Sequence, residues 1–247
     1  MNAEPAVQLR LLDLQALDLR LDQLAHRRRS LPEIAELDKL AAEHDRLRDA
    51  EVVAKTEVED LERDQKRAEA DVDQVRQRKD RDQKRLDAGQ VSAARELESL
   101  QSEISSLERR QSDLEDAALE IMERLEDAQQ RVEQLAAERE QVGRRAHEVQ
   151  QARDAAFAEI DAEAESVRRE REEVAAEIPS DLLELYDKIR ASSGGIGAAA
   201  LHRRRCEGCH LELDPMSLNQ IRAAAPDEVI RCEECRRILV RTPESGL

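Results

Sequence analysis

The chain has 247 residues, of which 39% are charged and only 1% aromatic, and its net charge is −17. Phe157 and Tyr186 are its only aromatic residues, which excludes a large globular core and is typical of long helices and coiled coils. Residues 195–247 hold eight arginines and eight acidic residues, so the first 194 residues carry the whole negative charge. An acidic surface repels nucleic acids and anionic membranes, so any nucleic-acid contact must be local.

The sequence contains no obvious membrane or export segment. No apolar run approaches the roughly 20 residues needed to span a bilayer, and Met1–Pro5 lacks the basic and apolar regions of a signal peptide. We therefore expect a cytoplasmic protein without membrane contact. Thiols stay reduced in that compartment, so four closely paired cysteines favour a metal over disulfides.

The sequence predicts two long helical arms, and the first arm begins with a helix that starts near Pro5. Apolar residues follow a three-four spacing from Val7 to Leu24, with Leu17 or Asp18 at one position, and extra leucines widen the stripe beyond a two-helix seam. This end of the arm should contact a third element. Pro32 interrupts the helix because it removes an amide donor, and Ser30 can cap the helix that restarts there.

Two long heptad patterns flank one turn. The first runs from Leu37 to Leu86 and the second from Leu97 to Val174, and repeats of this length specify a left-handed supercoil. Gly89 permits the turn and Ser92 can cap the second arm. If Leu86 lies opposite Leu97, then Pro5 and Pro179, which mark the outer ends of the two helical arms, lie at the same height along the hairpin. This agreement favours an intramolecular antiparallel hairpin over a parallel dimer.

The predicted fold is mainly α: a long antiparallel coiled-coil hairpin with a kinked first arm, followed by a small zinc ribbon. The hairpin covers residues 1–191, with its tip near 87–92 and a short closing helix over 180–190 whose leucines should pack on the first helix. The Ser- and Gly-rich residues 192–197 predict a flexible hinge. The ribbon covers residues 198–247, and we expect a monomer.

Two C-x-x-C pairs carry the clearest chemistry in the chain, namely Cys206 with Cys209 and Cys232 with Cys235. Zinc binds four ligands in a tetrahedron, and two tight turns that each present two thiolates meet that demand. We predict one structural Zn²⁺, with His210 outside the ligand set. A module of about 50 residues needs the metal to fold securely. Asp214 and Pro215 should begin a short helix between the knuckles.

The ribbon is locally basic, and this has two interpretations. The arginines can form a face that binds phosphate, or they can balance the zinc tetrathiolate and the nearby Glu207, Glu233 and Glu234. No aromatic residue of the ribbon offers a platform for stacking bases. The candidate contact residues here are Arg203, Arg204, Arg205, Arg236, Arg237 and Arg241.

Two segments resemble a bacterial family of coiled-coil hairpin proteins with a carboxyl-terminal C4-type zinc ribbon. They are the tip, Gly89-Gln90-Val91 with Arg95 to Ile104, and the ribbon, Cys206 to His210 with Ile230 to Leu239. The chain departs from the family at Ala94, where proline is frequent, and at Arg236, where glycine is usual. The resemblance implies the fold and the zinc ligands. It also implies partners such as a sigma factor of the nitrogen class, secretion-apparatus parts or messenger RNA.

We expect a non-enzymatic zinc-ribbon adaptor that binds transcription-related partners, a sigma factor or RNA polymerase. The tip contacts would be Gln90, Val91, Arg95 and Glu96. The alternatives are an RNA- or ribosome-binding regulatory protein that uses the basic ribbon face, and a structural spacer. No paired carboxylates, nucleophile with a base, or phosphate loop indicates an enzyme.

Overall fold

A computed structural model describes every residue from Met1 to Leu247. Long helices form a hairpin, and a small strand-containing region with four cysteines follows them, which confirms the predicted fold class. None of the helices is both long and apolar enough to cross a bilayer. The elements are α1 (Pro5–Arg29), α2 (Pro32–Asp87), α3 (Ala94–Ala176), α4 (Ser180–Ser192), β1 (Ala198–His202), β2 (Arg205–Cys206), α5 (Pro215–Ala223), β3 (Ile230–Arg231) and β4 (Ile238–Arg241).

The chain divides into two compact units. The tip unit comprises Ala35–Gln150, and the ribbon unit comprises Met1–Ile34 together with Gln151–Leu247. α4 begins at Ser180 and β1 begins at Ala198, and both belong to the ribbon unit.

The tip unit is an antiparallel pair of helices with a narrow apolar seam. Its buried apolar residues all fall on the predicted heptad positions: Leu47, Ala54, Leu61, Val72, Leu100, Ile104, Leu125, Ala128 and Val149. Glu51 also lies in the seam, where it is 5% exposed and pairs with Arg139 at 3.3 Å and with Lys55 at 2.7 Å. The hydrogen bond from Lys55 lowers the pKa of Glu51 below its ordinary value. A pair of opposite charges at one seam position favours a single register of the two helices.

Two predicted helix caps are wrong. The Ser30 hydroxyl donates to the His26 carbonyl at 3.0 Å, so it closes the end of α1 and does not cap α2. Ser92 lies outside the first turn of α3, where the Ala93 carbonyl accepts the amides of Glu96 and Leu97 at 3.0 Å. At the start of each helix a backbone carbonyl accepts the first amides, Leu31 for α2 and Ala93 for α3, and no serine side chain caps it. The Asp214 cap of α5 is confirmed.

In the ribbon unit, α1 packs against α4, as the wide leucine stripe predicted. Leu11 and Leu14 of α1 join Leu182, Tyr186 and Ile189 of α4 in one buried cluster. Burial of each large side chain contributes about 1.5–3 kcal/mol relative to exposure, so this cluster is a main source of stability in the unit.

The sheet, in the order β2-β1-β4-β3, is buried on both faces of its two central strands. On one face Ala198, Ile238 and Val240 join the α1–α4 cluster. On the other face Ala199 and Leu239 belong to the core that surrounds the cysteines. Side chains alternate along a strand, so one run of apolar residues serves two cores. The ribbon is therefore packed on α1 and α4 and does not depend on its thin internal core alone.

The predicted hinge, residues 192–197, connects α4 to β1 and is held by side chains from both sides. Gln15 donates to the Gly195 carbonyl at 2.9 Å and accepts the Gly197 amide at 2.6 Å. Arg237 donates to the Ser193 carbonyl at 2.6 Å and to the Ile196 carbonyl at 3.1 Å. The flexibility of this segment stays a prediction, and these contacts count against it.

Residues 1–3 lie against the ribbon and extend its edge. The Ala3 amide donates to the Asp227 carbonyl at 2.7 Å, and the Val229 amide donates to the Met1 carbonyl at 3.0 Å. The pairing is antiparallel around Asn2 and Glu228. The ribbon is thus bound to the beginning of the chain as well as to α4.

Candidate zinc centre and binding surfaces

The two C-x-x-C segments form matching turns that bring four thiols together. In the first turn the His210 amide donates to the Cys206 carbonyl at 2.7 Å, and in the second the Arg236 amide donates to the Cys232 carbonyl at 2.8 Å. In each turn the residue after the second cysteine has a left-handed backbone conformation, with φ +61° at His210 and +63° at Arg236. This conformation closes the turn so that both thiols of a pair point to the same side.

The distances between the sulfur atoms fit a zinc tetrahedron. Cys206 and Cys235 are 3.9 Å apart at Sγ, Cys209 and Cys232 are 3.9 Å apart, and all four sulfurs lie within 4.8 Å of one another. Zn–S bonds of about 2.3 Å give a tetrahedron with edges of about 3.8 Å. All four cysteines are free, and these separations are far longer than the roughly 2.05 Å of a disulfide. The cysteines would hold one structural Zn²⁺ with no open coordination position, as predicted.

The thiols differ in acidity because their surroundings differ. Burial raises the pKa of the Cys206 and Cys232 thiols. Burial also acts to raise the pKa of Cys235, but hydrogen bonds from the backbone and side chain of Arg237 lower it to about 7. Zinc binds thiolates, so binding releases protons and weakens as the pH falls.

Gly208 allows the first knuckle to pack closely. A Cβ atom at this position would lie 2.8 Å from Cδ of Arg237 and 3.0 Å from Cβ of Ala199. The glycine therefore lets the knuckle lie against β1 and against Arg237, the same arginine that holds residues 193 and 196. One side chain joins the zinc site to the connection with α4.

The six arginines that we predicted as contacts fall into two groups. Arg203, Arg204, Arg205 and Arg236 are exposed, and their guanidinium groups make no hydrogen bond or ion pair within the chain. Arg237 binds the carbonyls of Ser193 and Ile196, whereas Arg241 donates to four backbone carbonyls: Ala224, Ala225, Pro226 and Glu228. Four arginines are thus available to a partner, and two hold the ribbon together.

Two of the free arginines occupy a strained turn. β1 and β2 pair with His202 opposite Arg205, so Arg203 and Arg204 form a two-residue hairpin loop, with φ +47° and +67°. Such a loop prefers Asn-Gly because both residues need positive φ. Residues 242–246 support it, since the Arg203 and Arg204 amides donate to the carbonyls of Glu244 and Ser245 at 2.8 and 2.9 Å.

The predicted contact residues of the tip lie at the turn between α2 and α3. Gln90, Arg95 and Glu96 are exposed and make no side-chain hydrogen bond or ion pair, and Val91 is half-buried. Gly89 has φ +58°, as the turn requires. The turn therefore presents an amide, a cation, an anion and part of an apolar side chain to the surroundings.

A buried polar network in the ribbon unit was missed from the sequence. Asp18 is 2% exposed and accepts a hydrogen bond from the Tyr186 hydroxyl at 2.7 Å and one from Arg171 at 2.7 Å. Arg190 lies 3.4 Å from the same carboxylate. Burial, followed by the bond to Asp18, raises the pKa of Tyr186 above its usual range. The available signal was an aspartate inside a leucine stripe together with the only tyrosine of the chain.

The fold and the site define a class of protein: a long helical hairpin that continues into a ribbon with one closed C4 zinc site. The model of the CT398-like coiled coil hairpin domain matches residues 14–194, and that of the C4-type zinc ribbon domain matches residues 205–239. The chain belongs to the family of CT398-like coiled-coil hairpin proteins. This confirms the resemblance found at the tip and at the cysteines.

Relatives come from mycobacteria and from more distant bacteria. Uncharacterized protein Rv2229c of Mycobacterium tuberculosis is 41% identical over 98% of both chains, and uncharacterized protein ML1638 of Mycobacterium leprae is 31% identical over 88% of this chain and 93% of that protein. A solved structure from Mycobacterium smegmatis is 37% identical, with a TM-score of 0.83 over 98% of this chain and all of that one. CT398 of Chlamydia trachomatis, at 19% identity, shares the fold, with a TM-score of 0.69 over 96% and 98% of the two chains.

Proposed function

We propose that the protein is a non-enzymatic adaptor that binds macromolecular partners through its zinc ribbon and the tip of its hairpin. We further propose that these partners belong to transcription and are a sigma factor or RNA polymerase. One observation carries the proposal: four arginines at the β1–β2 turn and the zinc knuckles (Arg203, Arg204, Arg205 and Arg236) are exposed, and their guanidinium groups have no partner in the chain. Exposed cations without internal partners are available for complementary charges on another molecule.

The zinc site supports a binding role over catalysis. Four protein thiolates complete the tetrahedron, so the metal has no position for water or substrate. Its contribution is to hold the two knuckles together, and thereby to fix the neighbouring Arg205 and Arg236. The adaptor would use the metal to shape a surface.

The tip supports a second contact point. Gln90, Arg95 and Glu96 offer three different polar groups around Val91, and none of them is used within the chain. A helical hairpin holds its turn in one backbone conformation, and a preformed backbone lowers the cost of ordering a loop on binding. The transcription partner itself rests on the resemblance to the family.

The test is a crosslinked pull-down of tagged protein from its native cells, with and without nuclease. Wild type would run beside Arg203→Glu/Arg204→Glu, a tip variant Gln90→Ala/Arg95→Glu, and the control Arg222→Glu. Arg222 is an exposed arginine of α5 that also lacks a partner, so it tests whether one charge reversal elsewhere in the ribbon has the same effect. The adaptor proposal expects polymerase or sigma subunits that survive nuclease and are lost in the ribbon or tip variant but not in the control. Equal capture by all variants would refute it.

A second candidate is an RNA- or ribosome-binding regulatory protein that uses the basic ribbon face. The Arg203–Arg204 turn favours it, because backbone strain is found where function requires it and two adjacent arginines suit phosphate groups. Binding of RNA through phosphates would weaken steeply with salt. Capture of RNA or ribosomal proteins that disappears with nuclease would support this candidate over the first, and salt-insensitive binding would count against it.

A further inference from the structure

The ribbon carries a groove between α5 and the edge strand β3. It encloses a cavity of about 320 Å³, with Ile221 and Ala224 on the helix side and Ile230 and Arg231 on the strand side. Leu213 and Leu239, which are almost fully buried, lie beneath them. The groove is therefore apolar at its base and is large enough for one aliphatic or aromatic side chain.

The backbone beside this cavity has an open hydrogen-bonding edge. β3 is the last strand of the sheet and pairs only with β4. The Cys232 amide points towards β4, since it donates to the Arg237 carbonyl at 2.9 Å, whereas the Val229 amide points outward to Met1. Amide and carbonyl directions alternate along a strand. The N–H and C=O groups of Arg231 therefore face away from β4.

The same edge already accepts a strand. Residues 1–3 pair with residues 227–229 through their backbones, and the position of Arg231 continues that edge. Addition of an extended peptide to a sheet edge draws its affinity from backbone hydrogen bonds and its specificity from pockets for alternate side chains. Here the edge and the pocket lie side by side.

The charges around the cavity favour a basic peptide. The exposed Glu228 carboxylate makes no ion pair, and Glu233 accepts only the Ser217 hydroxyl, at 2.9 Å. Arg231 is the single cation of the lining, and its Nε donates to the Arg236 carbonyl at 2.8 Å. Among the side chains that line the cavity, two carboxylates thus stand against one guanidinium; the Arg241 guanidinium lies nearby and is bound by backbone carbonyls that include those of Ala224 and Glu228.

We propose that this groove binds an extended segment of a partner protein, which adds to the edge of β3 and inserts one apolar side chain flanked by basic residues. The inference rests on the adaptor function in that it requires a protein partner. The groove would supply a contact separate from the exposed arginines of the β1–β2 turn, because its lining side chains carry the opposite net charge.

The test uses zinc-loaded full-length protein and a displayed library of random seven-residue peptides. Arg231→Pro removes the outward N–H and leaves the β3–β4 pairing, since that amide faces away from β4, and proline is tolerated on edge strands. Arg231→Ala keeps the amide and is the matched control. Ala224→Trp fills the cavity from the residue that follows α5, and Asn219→Trp, on α5 but outside the lining, is its control. Zinc content and helical circular dichroism check that each variant is folded.

We expect enriched peptides with an apolar residue between Lys or Arg residues. Their affinity, measured by fluorescence polarisation, should fall about tenfold for Arg231→Pro, as the loss of one backbone hydrogen bond predicts, and at least tenfold for Ala224→Trp. Both controls should stay within about twofold of wild type. The proposal is overturned if no peptide is enriched, if Arg231→Pro and Ala224→Trp bind as wild type does, or if sedimentation shows that a second copy of the chain occupies the groove. These results need no cellular partner, so they are independent of the pull-down.

Discussion

Replacement of Gly197 by alanine should separate the ribbon from the helices that carry it. A Cβ atom at this position would lie 2.7 Å from both Cδ2 and the carbonyl oxygen of Tyr186, which is fully buried. Neither the ring nor the backbone can move without disturbing the cluster with Leu11 and Leu14. Overpacking of a core costs about 1–3 kcal/mol, and the shift of residue 197, whose amide donates to Gln15, would weaken that hydrogen bond at a cost of up to about 1 kcal/mol.

The expected destabilisation of the ribbon unit is therefore about 3 kcal/mol, or a fall in its midpoint of roughly 10 °C at about 3–4 °C per kcal/mol. Tyr186 is the only tyrosine and the chain has no tryptophan, so its fluorescence reports on this junction alone. Circular dichroism at 222 nm follows the helices separately. The assay is a thermal melt of the zinc-loaded protein with both signals recorded together.

Two other glycines serve as controls for this melt. Gly143 lies inside α3, and a methyl group added there would meet nothing within 4 Å beyond its own turn of the helix, so Gly143→Ala should stabilise the helix by about 0.5–1 kcal/mol. Gly194 has φ +67° and open space, so Gly194→Ala should cost only the strain of about 1–2 kcal/mol. If Gly197→Ala melts within about 2 °C of wild type with an unchanged tyrosine signal, the close packing of Gly197 against Tyr186 is not a determinant of stability.

Three further predictions concern the metal and its surroundings. Removal of zinc by a chelator should unfold the ribbon and alter Tyr186 fluorescence, while most helical dichroism persists; loss of all helix would contradict the division into two units. Arg236→Gly should relieve the strain at φ +63°, and part of this gain is offset because glycine gives the unfolded chain more conformational freedom. The net stabilisation of the ribbon should be about 0.5–1 kcal/mol and should appear as slower zinc release to a competing chelator. Faster release would show that the arginine side chain itself stabilises the turn. The pKa of Tyr186 is raised in the folded state, so its contribution to stability is complete below the unfolded value of 10.0 and decreases as the pH rises above it. Absorbance at 295 nm should therefore show ionisation together with unfolding, and a reversible titration near pH 10 in the intact fold would disprove this.

Most features that rest on local sequence were predictable, although the caps assigned to Ser30 and Ser92 were wrong. The heptad positions of α2 and α3, the break at Pro32 and the cap at Asp214 all depend on residues within a few turns of one another. The zinc ligands were predictable for the same reason, because each C-x-x-C pair is a local turn and the metal's geometry demands two of them.

The packing of the ribbon on the helices was not predictable, because it joins segments that are distant in sequence. The run from Ile238 to Val240 is buried on both faces, but periodicity alone does not tell a strand between two cores from one inside a small core. Likewise, Arg203 and Arg237 are the same residue type in a basic module. Only the structure shows that one is free and the other binds the carbonyls of Ser193 and Ile196.

The pairing of residues 1–3 with the ribbon has a consequence for the order in which the protein folds. Asn2 and Asp227 share a hydrogen bond across 225 positions of sequence, and ribosomes add roughly 5–20 residues per second. Leu11 and Leu14 therefore leave the ribosome roughly 10–50 s before the strands that cover them. During that interval the apolar stripe of α1 is open to chaperones and to wrong neighbours, so the ribbon unit is completed late in synthesis.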